Sequence, residues 1–266
     1  MIKLVATDMD GTFLNEHVSY DVERLKRLLD RFDQKGIVFA AASGRGYLSL
    51  EKLFAPVKDR IMFIAENGSL VEYKEQVLYE AVMPKEFYLS VYEQLTTSPY
   101  VDTSKMLLTG KKGCYVLNTV NPSYLVSTAK FNENIMKVSS LEEIQDDIFK
   151  FTLNFEEEET LAGEAWVNEH IAGVSAMTTG FESIDIVLEH VDKGVAITAL
   201  AEKMGWDMEQ IVAFGDNLND LHMMQVVGLP IAPSNARPEI QELAKIIIGP
   251  HSEESVIAYM EELVRD

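Results

Sequence analysis

Four short apolar runs constrain what this chain can fold into: residues 2–7, 37–42, 62–65 and 211–214. Each ends abruptly in polar residues. Runs of that length without polar alternation are the pattern of strands buried on both faces. Between the first two runs, Val22, Leu25, Leu28, Leu29 and Phe32 recur at threes and fours, which predicts a helix. Ser19 is placed to cap its start and Gly36 to end it. Strands alternating with helices predict an α/β fold around a parallel sheet with right-handed crossovers. Open sheets of that kind bind ligands at the carboxyl ends of their strands. The polar residues that close each run are therefore where chemistry is to be sought.

The first run is closed by Asp8-Met9-Asp10-Gly11-Thr12. Taken alone, an Asp-Gly pair after a strand is an ordinary turn. Two acids at a strand end are costly, however, unless a proton or cation offsets them. A hard cation such as Mg²⁺ is the natural partner for such a pair. The second run ends in Ser43-Gly44-Arg45, the third in Glu66-Asn67-Gly68, and the fourth in Gly215-Asp216-Asn217-Leu218-Asn219-Asp220. A further cluster, Asp192-Lys193-Gly194, opens a helical segment that stops at Gly205. In a parallel sheet these clusters share one edge.

Four of these clusters, those at Asp8, Ser43, Asp192 and Asp216, have a chemical role open to them. Asp8 is a candidate nucleophile toward a phosphoryl group, and Asp10 a candidate acid and base. Asp8, Asp216 and a backbone oxygen of Asp10 could hold one Mg²⁺. Ser43 and the Gly44 amide could hold phosphate oxygens, Lys193 could add a positive charge, and Asn219 could reach a substrate oxygen. Asp220 is a candidate partner behind Lys193 or the metal ligands.

The chain has 23 basic and 43 acidic side chains and a net charge of -20. That balance argues against nucleic acid and anionic membrane as partners. An anionic substrate must then be attracted locally. Cys114 is the single cysteine, so neither an internal disulfide nor a cysteine metal cluster is available. No apolar run approaches a membrane span and no leader pattern opens the sequence, so a soluble cytoplasmic protein is expected.

The pattern changes near Pro84. From there to about residue 187, helices mix with short alternating strands such as Cys114 to Leu117. Segments 173–178 and 183–188 flank Thr179-Gly180-Phe181-Glu182 like a hairpin, and Glu156 to Glu159 open a helix. Residues 1–82 and 188–266 are read as the core, and 83–187 as an inserted α+β domain. Asp207 to Gln210 has the form of a capping box, 246–248 of a last strand, and 252–264 of a closing helix.

The ordered set Asp8-x-Asp10-Gly11-Thr12, Ser43-Gly44-Arg45, Asp192-Lys193-Gly194 and Gly215-Asp216-x-x-Asn219-Asp220 resembles the four motifs of the haloacid dehalogenase superfamily. The insertion between the second and third motifs resembles the Cof-type branch with a C2 cap, subfamily IIB. That resemblance implies a Rossmannoid parallel-sheet core with helices on both faces plus an inserted α+β cap. It also implies Mg²⁺-dependent hydrolysis of small phosphorylated metabolites, sugar phosphates among them, through an aspartyl-phosphate at Asp8. Specificity would then lie in the cap. The sequence departs from the family at Leu188 and His190, where relatives often carry Pro and Gly, and at Pro233-Ser234-Asn235-Ala236, often Met-Gly-Asn-Ala.

A phosphomutase of the same fold would use the same acids, and a phosphate-metabolite sensor would keep the site without turnover. A pure binder has no need of both Asp8 and Asp10. Met223 and Met224 read as helix core. His190, Phe181 and Glu182 are secondary candidates for contact with substrate, and Trp166 and Trp206 carry no functional signal. The oligomeric state and the particular substrate are not legible.

Overall fold

The computed structural model describes residues 1–180 and 182–265. Its elements begin with β1 (Leu4–Thr7), α1 (Val22–Lys35), β2 (Val38–Ala42), α2 (Tyr47–Leu53), β3 (Met62–Ala65), β4 (Leu70–Tyr73) and β5 (Gln76–Glu80). Next come α3 (Lys85–Leu95), β6 (Met106–Gly110), β7 (Cys114–Leu117), α4 (Pro122–Thr128), β8 (Ile135–Val138), β9 (Ile148–Asn154), α5 (Thr160–His170), β10 (Val174–Gly180) and β11 (Ser183–Leu188). The chain continues through α6 (Lys193–Met204), β12 (Ile211–Phe214), α7 (Leu221–Val226), β13 (Leu229–Pro233), α8 (Pro238–Leu243), β14 (Ile246–Ile248) and α9 (Ser255–Leu263). These elements cluster into two compact units. The first is Met1–Gly44, Leu53–Glu80 and the segment from Asp192 on, and the second is Arg45–Lys52 with Ala81–Val191.

The first unit is built on an eight-stranded sheet in the order β14-β13-β12-β1-β2-β3-β4-β5. It is parallel from β14 to β3, and the edge hairpin β4–β5 runs antiparallel. The central strands are apolar on both sides because helices cover both. Leu4, Ala6, Ala40, Ala42, Ile64 and Ala213 pack with Ile197 and Leu200 of α6, Met223 and Met224 of α7, and Ile240 of α8. On the opposite side, Phe39 and Phe63 join a ring cluster with Phe13, Tyr20 and Phe54. There, Arg24 of α1 is bound to Glu254 and to Glu261 of α9 at 2.9–3.0 Å. Small residues in β2 and β12 let the helices approach closely, while each fully buried Leu or Ile contributes roughly 1.5–3 kcal/mol.

Register decides where the strand ends fall. Thr7 lies opposite both Ala41 and Phe214, so Asp8, Ala42 and Gly215 come level at one edge of the sheet.

Several local expectations change. Asp21, not Ser19, caps α1, with its carboxylate accepting from Arg24 N at 2.9 Å. Ser19 instead donates its hydroxyl to Asn15 Oδ1 at 2.9 Å, one turn earlier. Gly36 closes α1 with φ +66, as its lack of a Cβ permits. The closing helix starts at Ser255, because Glu254 at φ +54 separates it from a short 3₁₀ turn, His251–Glu253.

The second unit is a six-stranded sheet, β10-β11-β9-β6-β7-β8, antiparallel except for β7–β8. Tyr88, Val91 and Leu95 of α3 and Val167 of α5 share a core with Phe151, Leu153, Ile184 and Ile186 of one sheet face. Leu107, Cys114 and Val116, on the other face, pack on Tyr124 of α4. That face also carries a buried ion pair, Lys150 Nζ to Asp185 Oδ2 at 2.7 Å, with Thr152 donating to Asp185 Oδ1 at 2.7 Å. The segment 45–52, assigned to the core from sequence, belongs to this unit. Ser49 there donates to the Phe131 carbonyl and Lys52 pairs with Glu133. Residues 188–191 also group here, and His190 takes a left-handed conformation, φ +64, which a glycine would adopt more readily. Phe181 lies outside the described residues, while Glu182 accepts from Phe155 N through its carbonyl.

Candidate active site

Asp8 stands one residue beyond β1, where its amide donates to the Phe214 carbonyl at 2.9 Å and prolongs the β1–β12 pairing. Its backbone is thereby anchored to the sheet, and it is buried. The chain then folds into a tight turn over Met9–Phe13, closed by bonds from Phe13 N to Asp8 O and Leu14 N to Met9 O. Gly11 makes the turn possible. Its φ is +82, and a Cβ there would stand 2.5 Å from Asp216 Oδ2. Thr12 meanwhile donates to Asp216 Oδ1 at 2.8 Å. The glycine lets the Asp216 carboxylate in, and the threonine holds it.

Lys193, the first residue of α6, is completely buried and bridges two acids. Its Nζ lies 2.5 Å from Asp8 Oδ1 and 2.7 Å from Asp220 Oδ1. The other Asp220 oxygen accepts from the amides of Asp216 and Asn217 at 3.0 and 3.2 Å. Both oxygens of Asp220 are thus engaged, which suits it to positioning Lys193 and the 215–220 loop. Gly215 allows this, since a Cβ there would fall 2.6 Å from Asp220 Cβ.

One oxygen from each of Asp8, Asp216 and Asp220 can be chosen so that all lie within 4.8 Å of one another. Three carboxylates beside one ammonium leave an excess of two negative charges when all are ionised. Burial, together with the neighbouring carboxylates, holds Asp8 well above the usual carboxyl range, against the pull of Lys193. Asp216 is raised for the same first reason, burial, with Asp220 adding to it. Burial disfavours the Lys193 charge, but Asp220 and Asp8 outweigh it and push its pKa up. Hard carboxylate oxygens carrying excess negative charge are a donor set that fits a hard divalent cation.

The remaining predicted residues divide. Ser43 is buried just past β2, with its amide on the Ile64 carbonyl and its carbonyl accepting from Asn67 N at 3.1 Å. A Cβ on Gly44 would stand 2.7 Å from Asn67 Oδ1. Asn219 Nδ2 reaches the same Asn67 oxygen at 3.5 Å. Asn67 therefore draws together the 43–44 and 219 segments. Asp10 sits in the turn with its side chain exposed, outside the group formed by Asp8, Asp216 and Asp220.

Two supporting residues have no role assigned from the sequence. Asn67 sits in an unusual turn in which Glu66, Asn67 and Gly68 all have positive φ, and only the Asn-Gly pair hints at this. Asn235, visible in the sequence only as part of a departure, donates to the Gly11 carbonyl at 2.8 Å and accepts from His251 N at 2.9 Å. His251 Nδ1 lies 2.9 Å from the Leu14 carbonyl, so both ends of the acidic turn are held.

A strand-end acidic site on a parallel sheet, with a lysine delivered by a later helix, marks an α/β protein with its chemistry at one sheet edge. The model of the haloacid dehalogenase-like hydrolase family matches residues 5–260, and the chain belongs to that family. It is similar to the 5-amino-6-(5-phospho-D-ribitylamino)uracil phosphatase YbjI of Escherichia coli, 29% identical over 99% of this chain and 97% of the relative. Among solved structures, SMU.1108c from Streptococcus mutans superposes with a TM-score of 0.91 at 27% identity, covering 99% of each chain. The subclass IIB sugar phosphatase BT4131 shares the fold with a TM-score of 0.80 at 20% identity, over 98% of each chain. Among the described residues, no helix is long and apolar enough to cross a membrane.

Proposed function

We propose that this protein is a Mg²⁺-dependent phosphatase that hydrolyses small phosphorylated metabolites through an aspartyl-phosphate at Asp8. The observation that carries the reading is the buried Lys193 bridge, which fixes Asp8 Oδ1 at the sheet edge beside Asp216. In the first step Asp8 Oδ2 attacks phosphorus, the bond from phosphorus to the alcohol oxygen breaks, and Asp10 gives that oxygen its proton. In the second step water attacks the acyl phosphate, Asp10 takes the water's proton, and inorganic phosphate leaves with the Asp8 carboxylate restored. Ser43, the Gly44 amide and Asn219 hold phosphate oxygens at the neighbouring strand ends. Lys193 offsets part of the burial that raises Asp8 and meets the charge on the transferring group.

The Asp8 and Asp216 carboxylates with the Asp10 carbonyl would hold Mg²⁺. When bound, the ion neutralises the excess negative charge and polarises the phosphoryl group. A sugar or polyol phosphate is the favoured substrate class, supported by the phosphoribityl compound in the name of the Escherichia coli relative.

Phosphate release from para-nitrophenyl phosphate and a panel of sugar, polyol and nucleotide phosphates, with Mg²⁺ and with EDTA, tests the reading. Stoichiometric phosphate and free alcohol are expected only with Mg²⁺. An isomeric phosphate ester without phosphate release would indicate a mutase, and binding without turnover a sensor. Either outcome refutes the proposal.

A further inference from the structure

The starts of α6 and α7 are tied by a side-chain pair that the chemistry above does not use. Asp192 caps α6, with Oδ1 accepting from Val195 N at 2.8 Å. The same carboxylate meets His222 Nδ1 at 2.8 and 2.9 Å through its two oxygens. A carboxylate only accepts, so the Nδ1 of His222 carries the proton and donates.

The backbone makes room for this pair on two sides. A Cβ on Gly194 would stand 2.6 Å from His222 Cγ, so the imidazole lies against the bare backbone of the residue after Lys193. A Cβ on Gly68, at φ +97, would stand 2.3 Å from the Asp192 carbonyl oxygen, so Asp192 is backed against the 66–68 turn. The Asp192 and His222 side chains are 32% and 41% exposed. An ion pair that accessible contributes little to stability. Its consequence is geometric. Asp192 precedes Lys193 directly, and His222 lies two residues after Asp220, so the pair joins the two backbones whose side chains make the Lys193–Asp220 bond.

We propose that Asp192 and His222 are a positioning pair that fixes α6 against α7 and so sets Lys193 Nζ on Asp8. This inference rests on the phosphatase reading of the Asp8–Lys193 site. A slip of about 1 Å between the helices breaks the alignment of a fully buried ammonium with two acids, a displacement that can cost about 100-fold in rate.

Two variants separate positioning from capping. His222→Ala removes the donor. Asp192→Ser keeps an N-cap hydroxyl but is too short to reach His222. Each lowers kcat about 10- to 100-fold with KM changed less than about threefold, and the double variant is no worse than either single one. His222→Asn, whose amide N–H stands in for Nδ1–H, restores kcat to within about fivefold of wild type. Kinetics with para-nitrophenyl phosphate read all four. The inference is overturned if Asp192→Ser matches wild type, if the two losses add, or if His222→Asn is as slow as His222→Ala. Wild-type protein that turns over no phosphate ester overturns the functional reading and this inference together. Full wild-type turnover with silent variants overturns only the inference.

Discussion

Replacing Lys193 by methionine keeps most of the side-chain volume and removes the one positive charge that two buried acids share. Lys193 is fully buried, and the Asp8 and Asp220 side chains are 8% and 0% exposed. Breaking a buried ion pair by deleting one partner typically costs about 3–5 kcal/mol, because the survivor stays desolvated and unpaired. With a melting shift of about 2–4 °C per kcal/mol in a chain of this size, the metal-free variant melts roughly 6–20 °C below wild type. Protonation of the orphaned acids moderates the loss, so the deficit is larger at pH 8 than at pH 5. Lys193→Met combined with Asp220→Asn removes an orphaned charge and recovers part of the stability, but not the activity. Turnover falls about 100- to 1000-fold in both, as expected when a charge aimed at the transferring group is lost. Scanning calorimetry in EDTA and steady-state phosphate release provide the two readouts. A Lys193→Met protein that melts within 2 °C of wild type and keeps its kcat would refute the assignment of Lys193 as the centre of the site.

Other consequences follow from the same geometry. Burial raises the folded-state pKa of Asp8 and Asp216, so their contribution to stability is complete below the unfolded carboxyl range and is lost as pH rises through the raised values. Urea midpoints in EDTA therefore gain less between pH 5 and 8 than those of Asp216→Asn, and Mg²⁺ closes that gap; parallel profiles would contradict this. Gly11→Ala forces a Cβ to within 2.5 Å of Asp216 Oδ2 in a left-handed turn. It is expected to lower kcat/KM about 10- to 100-fold and to weaken Mg²⁺ binding measured by calorimetry. Wild-type metal affinity in that variant would show that Asp216 is free to move aside. In the second unit, Lys150→Met removes the cation beside the buried Asp185 and lowers stability by about 3–5 kcal/mol, whereas Lys150→Met with Asp185→Leu returns to near wild type, as read by chemical denaturation. Equal losses in the two would mean that the pair is net stabilising.

The parts of the fold that could be read from sequence are those where burial alone sets the pattern. The strands β1, β2, β3 and β12 are apolar on both faces, and their ends carry the acids, so the sheet edge and Asp8, Lys193 and Asp216 were legible together. The edge hairpin β4–β5 was not. Its turn residues Lys74 and Glu75 both have positive φ without being Gly or Asn, and Val77, Leu78 and Tyr79 are all half-buried without alternation, so neither turn chemistry nor periodicity marks it. Ser19 does not cap α1 because its hydroxyl engages Asn15, and Asp21 takes the place. Asn67 and Asn235 act through backbone and amide contacts between loops distant in sequence, which no local pattern encodes. The Lys193 bridge gave Asp220 a definite place, behind the lysine and under the 215–220 loop, where sequence had left two options open.

The central claim is that Asp8 carries the phosphoryl group. Acid quenching during turnover of a radiolabelled phosphate ester, followed by peptide mapping, tests it most directly. The account predicts label on the peptide containing Asp8 in wild type, and neither label nor turnover in Asp8→Asn, which still binds Mg²⁺. Undiminished turnover by Asp8→Asn, or label on any other residue, would contradict it.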